Sequence, residues 1–94
     1  VNKTLTLGNP YSLLAKKDLY NYGVRKFQIK KTPLAKVYFE EAVRFFPKDI
    51  DAHYNLASCY YKLKYPDKAC FHWKKCVELG DTSVQDQVNK FCNN

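Results

Sequence analysis

Apolar residues recur at intervals of three and four positions along most of the chain. Ala35, Phe39, Ala42 and Phe46 are separated by 4, 3 and 4 positions, which places them on one face of a helix. Three later sets have the same kind of spacing: Leu56, Cys59, Tyr60 and Leu63; Ala69, Trp73, Cys76 and Leu79; Val84, Val88 and Phe91. The pattern predicts amphipathic helices that bury one face and expose the other.

Residues that start or stop helices separate these stretches. Proline suits the first helical turn, glycine suits the position after the last turn, and Asp, Asn, Ser and Thr cap the first amides. The start signals are Asn9–Pro10, Thr32–Pro33, Asp49, Tyr65–Pro66–Asp67 and the capping-box pattern from Thr82 to Gln85, and the stop signals are Pro47 and Gly80. We therefore predict five antiparallel helices at about residues 10–30, 33–46, 50–64, 67–79 and 83–92.

The chain also repeats itself with a period of 34 residues. Without a gap, small residues align with small ones and large apolar residues with large apolar ones. The aligned pairs include Tyr20 with Tyr54, Asn21 with Asn55, Gly23 with Ala57, Ala35 with Ala69, Phe39 with Trp73, Ala42 with Cys76 and Val43 with Val77. Each copy consists of two predicted helices and a short turn, which is typical of repeat proteins.

The second copy resembles a tetratricopeptide repeat. It reads Tyr54-Asn55-Leu56-Ala57 and Tyr60-Tyr61, followed by Ala69, Trp73 and Cys76. The first copy keeps Tyr22-Gly23, Ala35, Phe39, Ala42 and Pro47. It departs at Lys26, where the pattern has tyrosine, and the second copy has Asp81 where the pattern has proline. Residues 68–81 also resemble the related Sel1-like repeat, and the whole resemblance extends over about residues 16–92.

The resemblance implies an all-α fold in which antiparallel helix-turn-helix repeats stack as a short right-handed α-solenoid. We expect residues 1–9 to be an extended arm and residues 10–94 to be the repeat domain. Within it, repeat one covers about 16–49, repeat two about 50–81 and a capping helix about 82–92. Since a single repeat cannot bury its own apolar faces, the capping helix is expected to cover the last one.

In similar proteins the first helices of the repeats line a concave groove that binds a peptide or a partner helix. The resemblance therefore implies a protein–protein interaction module. The expected groove residues are Lys17, Tyr20, Asn21, Val24, Phe27, Gln28, Asp51, Tyr54, Asn55, Ser58, Tyr61 and Lys62. Asparagine can bond a peptide backbone as donor and acceptor, and tyrosine gives a large rigid contact. The alternative is that Tyr54 and Tyr61 are packing residues and that the asparagines fix helix–helix contacts.

The net positive charge makes nucleic-acid binding a weaker alternative to protein binding. The chain has 94 residues and a net charge of +7, which can attract polyanions. The basic residues are spread, however, and no helix-turn-helix, RNA-recognition or zinc-finger motif accompanies them. No apolar run approaches the roughly 20 residues that cross a bilayer.

Motifs for catalysis or metal binding are weak. The sequence lacks a nucleophile elbow, a zinc-protease motif and a glycine-rich phosphate loop, so we predict neither an enzyme nor a cofactor. His72 and Cys76 share a helix face and could join Cys70 and Cys92 as zinc ligands, but Cys76 occupies a small, buried repeat position. A Cys70–Cys92 disulfide is possible, although we expect free thiols.

Self-association is the alternative within the same fold, because short repeat arrays can stack end to end between chains. The apolar residues of segment 1–7 and Leu13–Leu14 would support a homodimer or scaffold. The chain begins at Val1 without a methionine, so a targeting segment could be missing. The sequence does not specify the cellular compartment, and the cytoplasm is the default expectation. No motif identifies the protein partner.

Overall fold

A computed structural model describes residues 10–92, with side chains from residue 18 onward. This part contains five α-helices: α1 (Pro10–Gln28), α2 (Thr32–Phe45), α3 (Ile50–Lys62), α4 (Pro66–Glu78) and α5 (Gln85–Phe91). A short 3₁₀ turn, Thr82–Val84, precedes α5. The five predicted helices are confirmed, and their ends agree within two residues. The extended arm expected at residues 1–9 lies outside the described residues.

The helices stack in chain order. Each helix packs against the next one, and α1 also contacts α3 across the turn of the repeat. This nearest-neighbour arrangement is that of an α-helical repeat solenoid, as the resemblance implied. None of the helices in residues 10–92 is long and apolar enough to span a membrane.

Local signals account for the helix starts, with one correction. Proline stands in the first turn of both α2 and α4. The Asp49 side chain caps α3 by accepting a hydrogen bond from the Asp51 amide at 3.2 Å. The predicted capping box at Thr82 is wrong: Asp81 caps the 3₁₀ turn instead, by accepting from the Ser83 amide at 3.1 Å. Asp81 precedes the turn directly, so its carboxylate reaches the free amides first.

Three helices end in the same left-handed turn. Lys30, Lys64 and Gly80 follow α1, α3 and α4 with φ angles of 65°, 70° and 116°. In each turn the next amide donates to the carbonyl five positions earlier, at 2.8 to 3.0 Å, which satisfies an otherwise unpaired helix carbonyl. The two lysine turns are one 34-residue period apart, so the repeat extends to the backbone conformation.

The core is one continuous cluster between the stacked helices. Its buried members are Ala35, Phe39, Leu56, Ala57, Cys59, Tyr60, Ala69, Trp73, Cys76 and Val84. Small residues let the helices approach closely. At Gly23, a Cβ atom would lie only 2.7 Å from the Phe39 ring. That contact explains why α1 carries glycine at the position where α3 carries Ala57.

Candidate protein-binding groove

The expected site residues belong to α1 and α3, and we call the surface that these helices form with α5 the groove face. Two hydrogen bonds join these helices side by side. Asn55 Nδ2 in α3 donates to Tyr20 Oη in α1 at 3.4 Å. Gln87 Nε2 in α5 donates to Tyr54 Oη in α3 at 3.3 Å. The alternate helices therefore line one side of the stack, while α2 and α4 lie behind them.

Rings line the end of the groove face at the carboxyl end of α3. The Tyr61 ring lies 5.8 Å from Trp73 and 4.8 Å from Phe91, measured between ring centroids. Lys62 Nζ lies 5.6 Å from the centre of the Phe27 ring, a cation–π contact between α3 and α1. Tyr61 keeps 45% of its surface exposed, so this end offers a rigid aromatic surface to a ligand.

Asn55 is oriented by bonds that use both of its amide hydrogens. Besides donating to Tyr20, its Nδ2 donates to the Asp51 carbonyl at 2.8 Å. Its Oδ1 accepts no hydrogen bond from the residues that the structure describes. The hydroxyls of Tyr20 and Tyr54 accept bonds and still carry their own hydrogens. The centre of the groove face thus offers one acceptor between two O–H donors.

The remaining predicted groove residues differ in how much they can contribute to binding a ligand. Ser58 Oγ donates to the Tyr54 carbonyl of its own helix at 3.2 Å, so its hydrogen is already used. Val24 and Phe27 are partly buried and pack against the core. Asn21 and Gln28 are exposed, and the side chain of Lys17 lies outside those described. Tyr20 and Tyr54 are partly buried and pack against the core. Whether they also contact a ligand stays a prediction.

Charges differ between the two ends of the groove face. Asp51 and Asp81 line a shallow depression with Tyr54 and Gln87 at the amino end of α3. Lys62 and Lys64 line a second depression with Tyr61 at its carboxyl end. A ligand lying along α3 would therefore meet carboxylates at one end and ammonium groups at the other.

Several residues of this surface were missed from the sequence. They are Asp81 and Ser83 before α5, Gln87 and Phe91 in α5, and Lys64 and Pro66 after α3. The capping helix was predicted to cover the last apolar face, so its contribution to the groove was overlooked. The 34-residue repeat was the available signal, because α5 holds the place of a third first helix, next to α3.

A buried histidine pair joins α3 to α4. His53 Nε2 donates to the Pro47 carbonyl at 2.7 Å, which makes its Nδ1 the acceptor from His72 Nδ1 at 2.9 Å. Burial first, and then the charge of His53, lowers the pKa of His72 to about 4. His53 is 3% exposed and fills a packing position. Within the described residues no three His, Cys, Asp or Glu side chains could hold a metal ion together.

The expectation that Cys70 and Cys92 are free thiols is wrong. Cys70 in α4 and Cys92 after α5 form a disulfide, with their Cα atoms 5.5 Å apart. α5 lies against α4 and brings the two residues within bonding distance, which spacing along the chain did not reveal. Cys59 and Cys76 are free and buried. Burial raises the pKa of the Cys59 thiol to about 12 and that of Cys76 to about 11.

Comparison with known proteins supports the repeat. The family model of the tetratricopeptide repeat matches residues 50–83. The chain is 34% identical over 68 residues to a Hsp70-Hsp90 organizing protein of Triticum aestivum, covering 72% of the chain and 12% of that protein. It is 37% identical over 60 residues to Hsp70-Hsp90 organizing protein 1 of Glycine max, covering 64% of the chain and 10% of that protein. The chain thus spans about a tenth of the length of these curated relatives.

Proposed function

We propose that the chain, whose residues 50–83 match the tetratricopeptide repeat, binds an extended peptide or a partner helix along its groove face. It is then a protein–protein interaction module whose partner is another protein. The proposal adds where the partner lies and which groups contact it. We also propose that the chain acts by binding alone and catalyses no reaction.

The observation that carries the proposal is the hydrogen-bonding state of Asn55. Two bonds fix the side chain, so it loses little conformational entropy when a ligand binds. Its Oδ1, which accepts no hydrogen bond from the described side chains, suits a peptide N–H. The hydroxyl hydrogens of Tyr20 and Tyr54 on either side suit peptide carbonyls. A peptide backbone also alternates hydrogen-bond donors and acceptors. These three residues would therefore bind the backbone of a peptide whatever its side chains are.

The charges at the two ends of α3 favour one direction of binding. Lys62 and Lys64 would attract the more acidic end of a peptide, and Asp51 and Asp81 the more basic end. Such exposed charges add little affinity, but they steer association and disfavour the reversed orientation. We therefore expect a peptide with opposite charges at its two ends to bind better than the same peptide reversed.

The names of the relatives suggest where to begin. Both are called Hsp70-Hsp90 organizing proteins, so purified Hsp70 and Hsp90 are the first partners to test. A lysate should be tested in parallel because the chain corresponds to only about a tenth of either relative.

The test compares the immobilised parent with a groove variant carrying Tyr20→Ala, Tyr54→Ala and Asn55→Ala. We expect the variant to lose at least about tenfold in affinity for the partner, since each residue contributes roughly 1 kcal/mol or more at a buried contact. A control variant carries Val37→Ala and Phe71→Ala, two exposed apolar residues of α2 and α4. Circular dichroism and thermal melting confirm that both variants fold.

The pattern of loss decides the outcome. Binding by the parent and the control, but not by the groove variant, supports the proposal. Equal binding by all three proteins refutes it. Loss of binding only in the control variant would place the partner on the exposed surface of α2 and α4. Binding that the groove variant keeps and that falls steeply with salt would indicate nucleic acid as the ligand, the weaker alternative.

Self-association stays a prediction. The residues first chosen for it, segment 1–7 and Leu13–Leu14, lie outside the described side chains. Light scattering across a concentration series measures it directly: a mass that doubles with concentration supports a dimer, and a constant mass supports a monomer with an open groove face.

A further inference from the structure

The capping helix α5 is short, and few contacts hold it. It has seven residues, none of them fully buried, and no side chain caps its first turn. Isolated helices of this length are unstable in water, so α5 depends on its contacts with the rest of the stack. Its anchors are Phe91 against Trp73 and Tyr61, Val88 against the core, and the hydrogen bond from Gln87 to Tyr54.

A covalent link supplements these contacts. The Cys70–Cys92 disulfide joins α4 to the residue directly after α5 and closes a loop of 22 positions. That loop contains the last turns of α4, the 3₁₀ turn and the whole of α5. Phe91, the main apolar anchor, is the immediate neighbour of Cys92 in the chain. The disulfide therefore limits how far α5 can move from α4.

The disulfide is open to attack from solvent. Cys70 and Cys92 line an open cleft together with Asp67, Phe71 and Lys74. Attack on a disulfide requires a thiolate that can reach one of the two sulfur atoms. The cleft is the route by which a thiolate would reach the sulfur atoms. The ammonium group of Lys74 favours its negative charge there, and the carboxylate of Asp67 opposes it.

The other two cysteines are unsuited to thiol chemistry. Cys59 and Cys76 are fully buried, and Cys76 Sγ donates to the Ile50 carbonyl at 3.5 Å. Neither lines the cleft at Cys70. Redox chemistry of this chain should therefore be confined to the Cys70–Cys92 pair.

We propose that the Cys70–Cys92 pair is a redox switch: the disulfide holds α5 on the stack, and its reduction releases α5 and uncovers Trp73 and the part of Tyr61 that Phe91 covers. A dithiol reductant attacks one sulfur, forms a mixed disulfide with it and expels the other cysteine as a thiolate. The second thiol of the reductant then resolves the mixed disulfide. Two electrons and two protons pass to Cys70 and Cys92, and the reductant becomes a disulfide.

The switch would act on the groove face in two ways. Release of α5 removes Gln87 and Phe91 from the groove face, and it also frees the apolar surface of α4 that α5 covers. The oxidised chain then has a closed groove end, and the reduced chain has an apolar face for a further helix. This second consequence rests on the proposed binding function, whereas the release of α5 does not.

Hydrogen exchange of the backbone amides tests the release. The parent is labelled in deuterated buffer with and without excess dithiothreitol, and the peptides that cover α3 and α5 are followed by mass spectrometry. We expect exchange in residues 85–92 to become at least about tenfold faster on reduction, because the helix opens more often. Exchange in α3 should change much less.

A Cys70→Ser, Cys92→Ser variant is the matched control. Its exchange in residues 85–92 should equal that of the reduced parent, and dithiothreitol should not change it. A Cys59→Ala variant should respond to reduction as the parent does. If the double variant does not fold, reduction and alkylation of the folded parent give the same comparison.

Two results would overturn the proposal. Equal exchange of α5 in oxidised and reduced parent would show that non-covalent contacts alone hold the helix. A disulfide that stays intact in excess dithiothreitol under native conditions would show that the cleft does not admit a thiolate. Either result leaves the groove experiment unaffected, since that experiment is run on the oxidised chain.

Discussion

His72 is held neutral by its surroundings, and this makes the stability of the fold sensitive to acid. Its ring is packed between His53 and Tyr60, with centroid distances of 5.1 and 5.7 Å. Burial and the His53 charge lower its pKa from 6.5 to about 4, while the carboxylate of Glu40 opposes the shift. The unfolded chain therefore binds a proton at this residue at a higher pH than the folded chain does.

We predict that the free energy of unfolding falls as the pH drops from about 7 to about 5. The contribution of His72 is fully present above pH 6.5 and is lost progressively toward pH 4, because protonation favours the unfolded chain. The expected loss over this window is about 1–2 kcal/mol. Urea unfolding at each pH measures it.

A His72→Gln variant should show a smaller dependence of the unfolding free energy on pH, because glutamine can form hydrogen bonds but has no titratable group. The NMR titration of the His72 ring gives an independent value. A His72 pKa near 6.5, or an equal pH slope in parent and variant, would contradict the prediction.

The second prediction concerns the left-handed turns that end the helices. The turns after α1 and α3 place lysines in the left-handed region, at φ 65° and 70°, where a β-carbon crowds the backbone. Gly80 adopts the same region after α4 without that strain. Helices α1 and α3 end at these turns because the segment that follows each helix runs back antiparallel to it. This requirement holds whichever residue occupies the turn.

We predict that Lys64→Gly stabilises the fold by about 0.5–1 kcal/mol, because removing the β-carbon relieves the left-handed strain. The midpoint of urea unfolding should rise. Lys74→Gly is the matched control: Lys74 is exposed and lies inside α4, and its replacement should cost about 1 kcal/mol. Equal losses in both variants would show that the turn is unstrained.

The charge of the whole molecule sets the third prediction. The chain carries a net charge of +7, and the described residues show two ion pairs between side chains, Lys36–Glu40 at 3.8 Å and Lys75–Glu78 at 2.9 Å. The chain therefore keeps an excess of positive charge at neutral pH. Repulsion among these positive charges destabilises the compact state, and added salt screens it.

We predict that Tm rises by a few degrees between about 10 and 200 mM NaCl, as the Debye length contracts from about 30 to about 7 Å. A variant with Lys48→Glu and Lys74→Glu, both exposed, reduces the positive excess and should respond less to salt. A Tm that is independent of salt in the parent would refute the argument.

Much of the architecture was predictable because it depends on local spacing. The Ala35–Phe39–Ala42 interval places three residues on one helix face, and all three are buried. The 34-residue period also predicted equivalent contacts, as with Phe39 and Trp73 in the core. The helix ends followed from prolines and caps, except where Asp81 replaced the expected capping box.

The candidate site was predictable only in outline. The repeat indicated that Tyr20, Tyr54 and Asn55 belong to one surface, but the hydrogen bonds that orient Asn55 depend on distances between helices. Residues of α5 were missed because the position of the cap relative to α3 is a packing outcome. Whether a ligand uses this surface stays a prediction.

The sequence by itself determined the helices, their order, their buried faces and the period that relates them, because a helix repeats every 3.6 residues and its signals lie within a few positions. The tertiary structure alone decided which residues of different helices meet. It paired Cys70 with Cys92 across 22 positions, His53 with His72 across 19 and Tyr20 with Asn55 across 35. Such contacts follow from how the helices pack against one another, and no local spacing encodes that geometry.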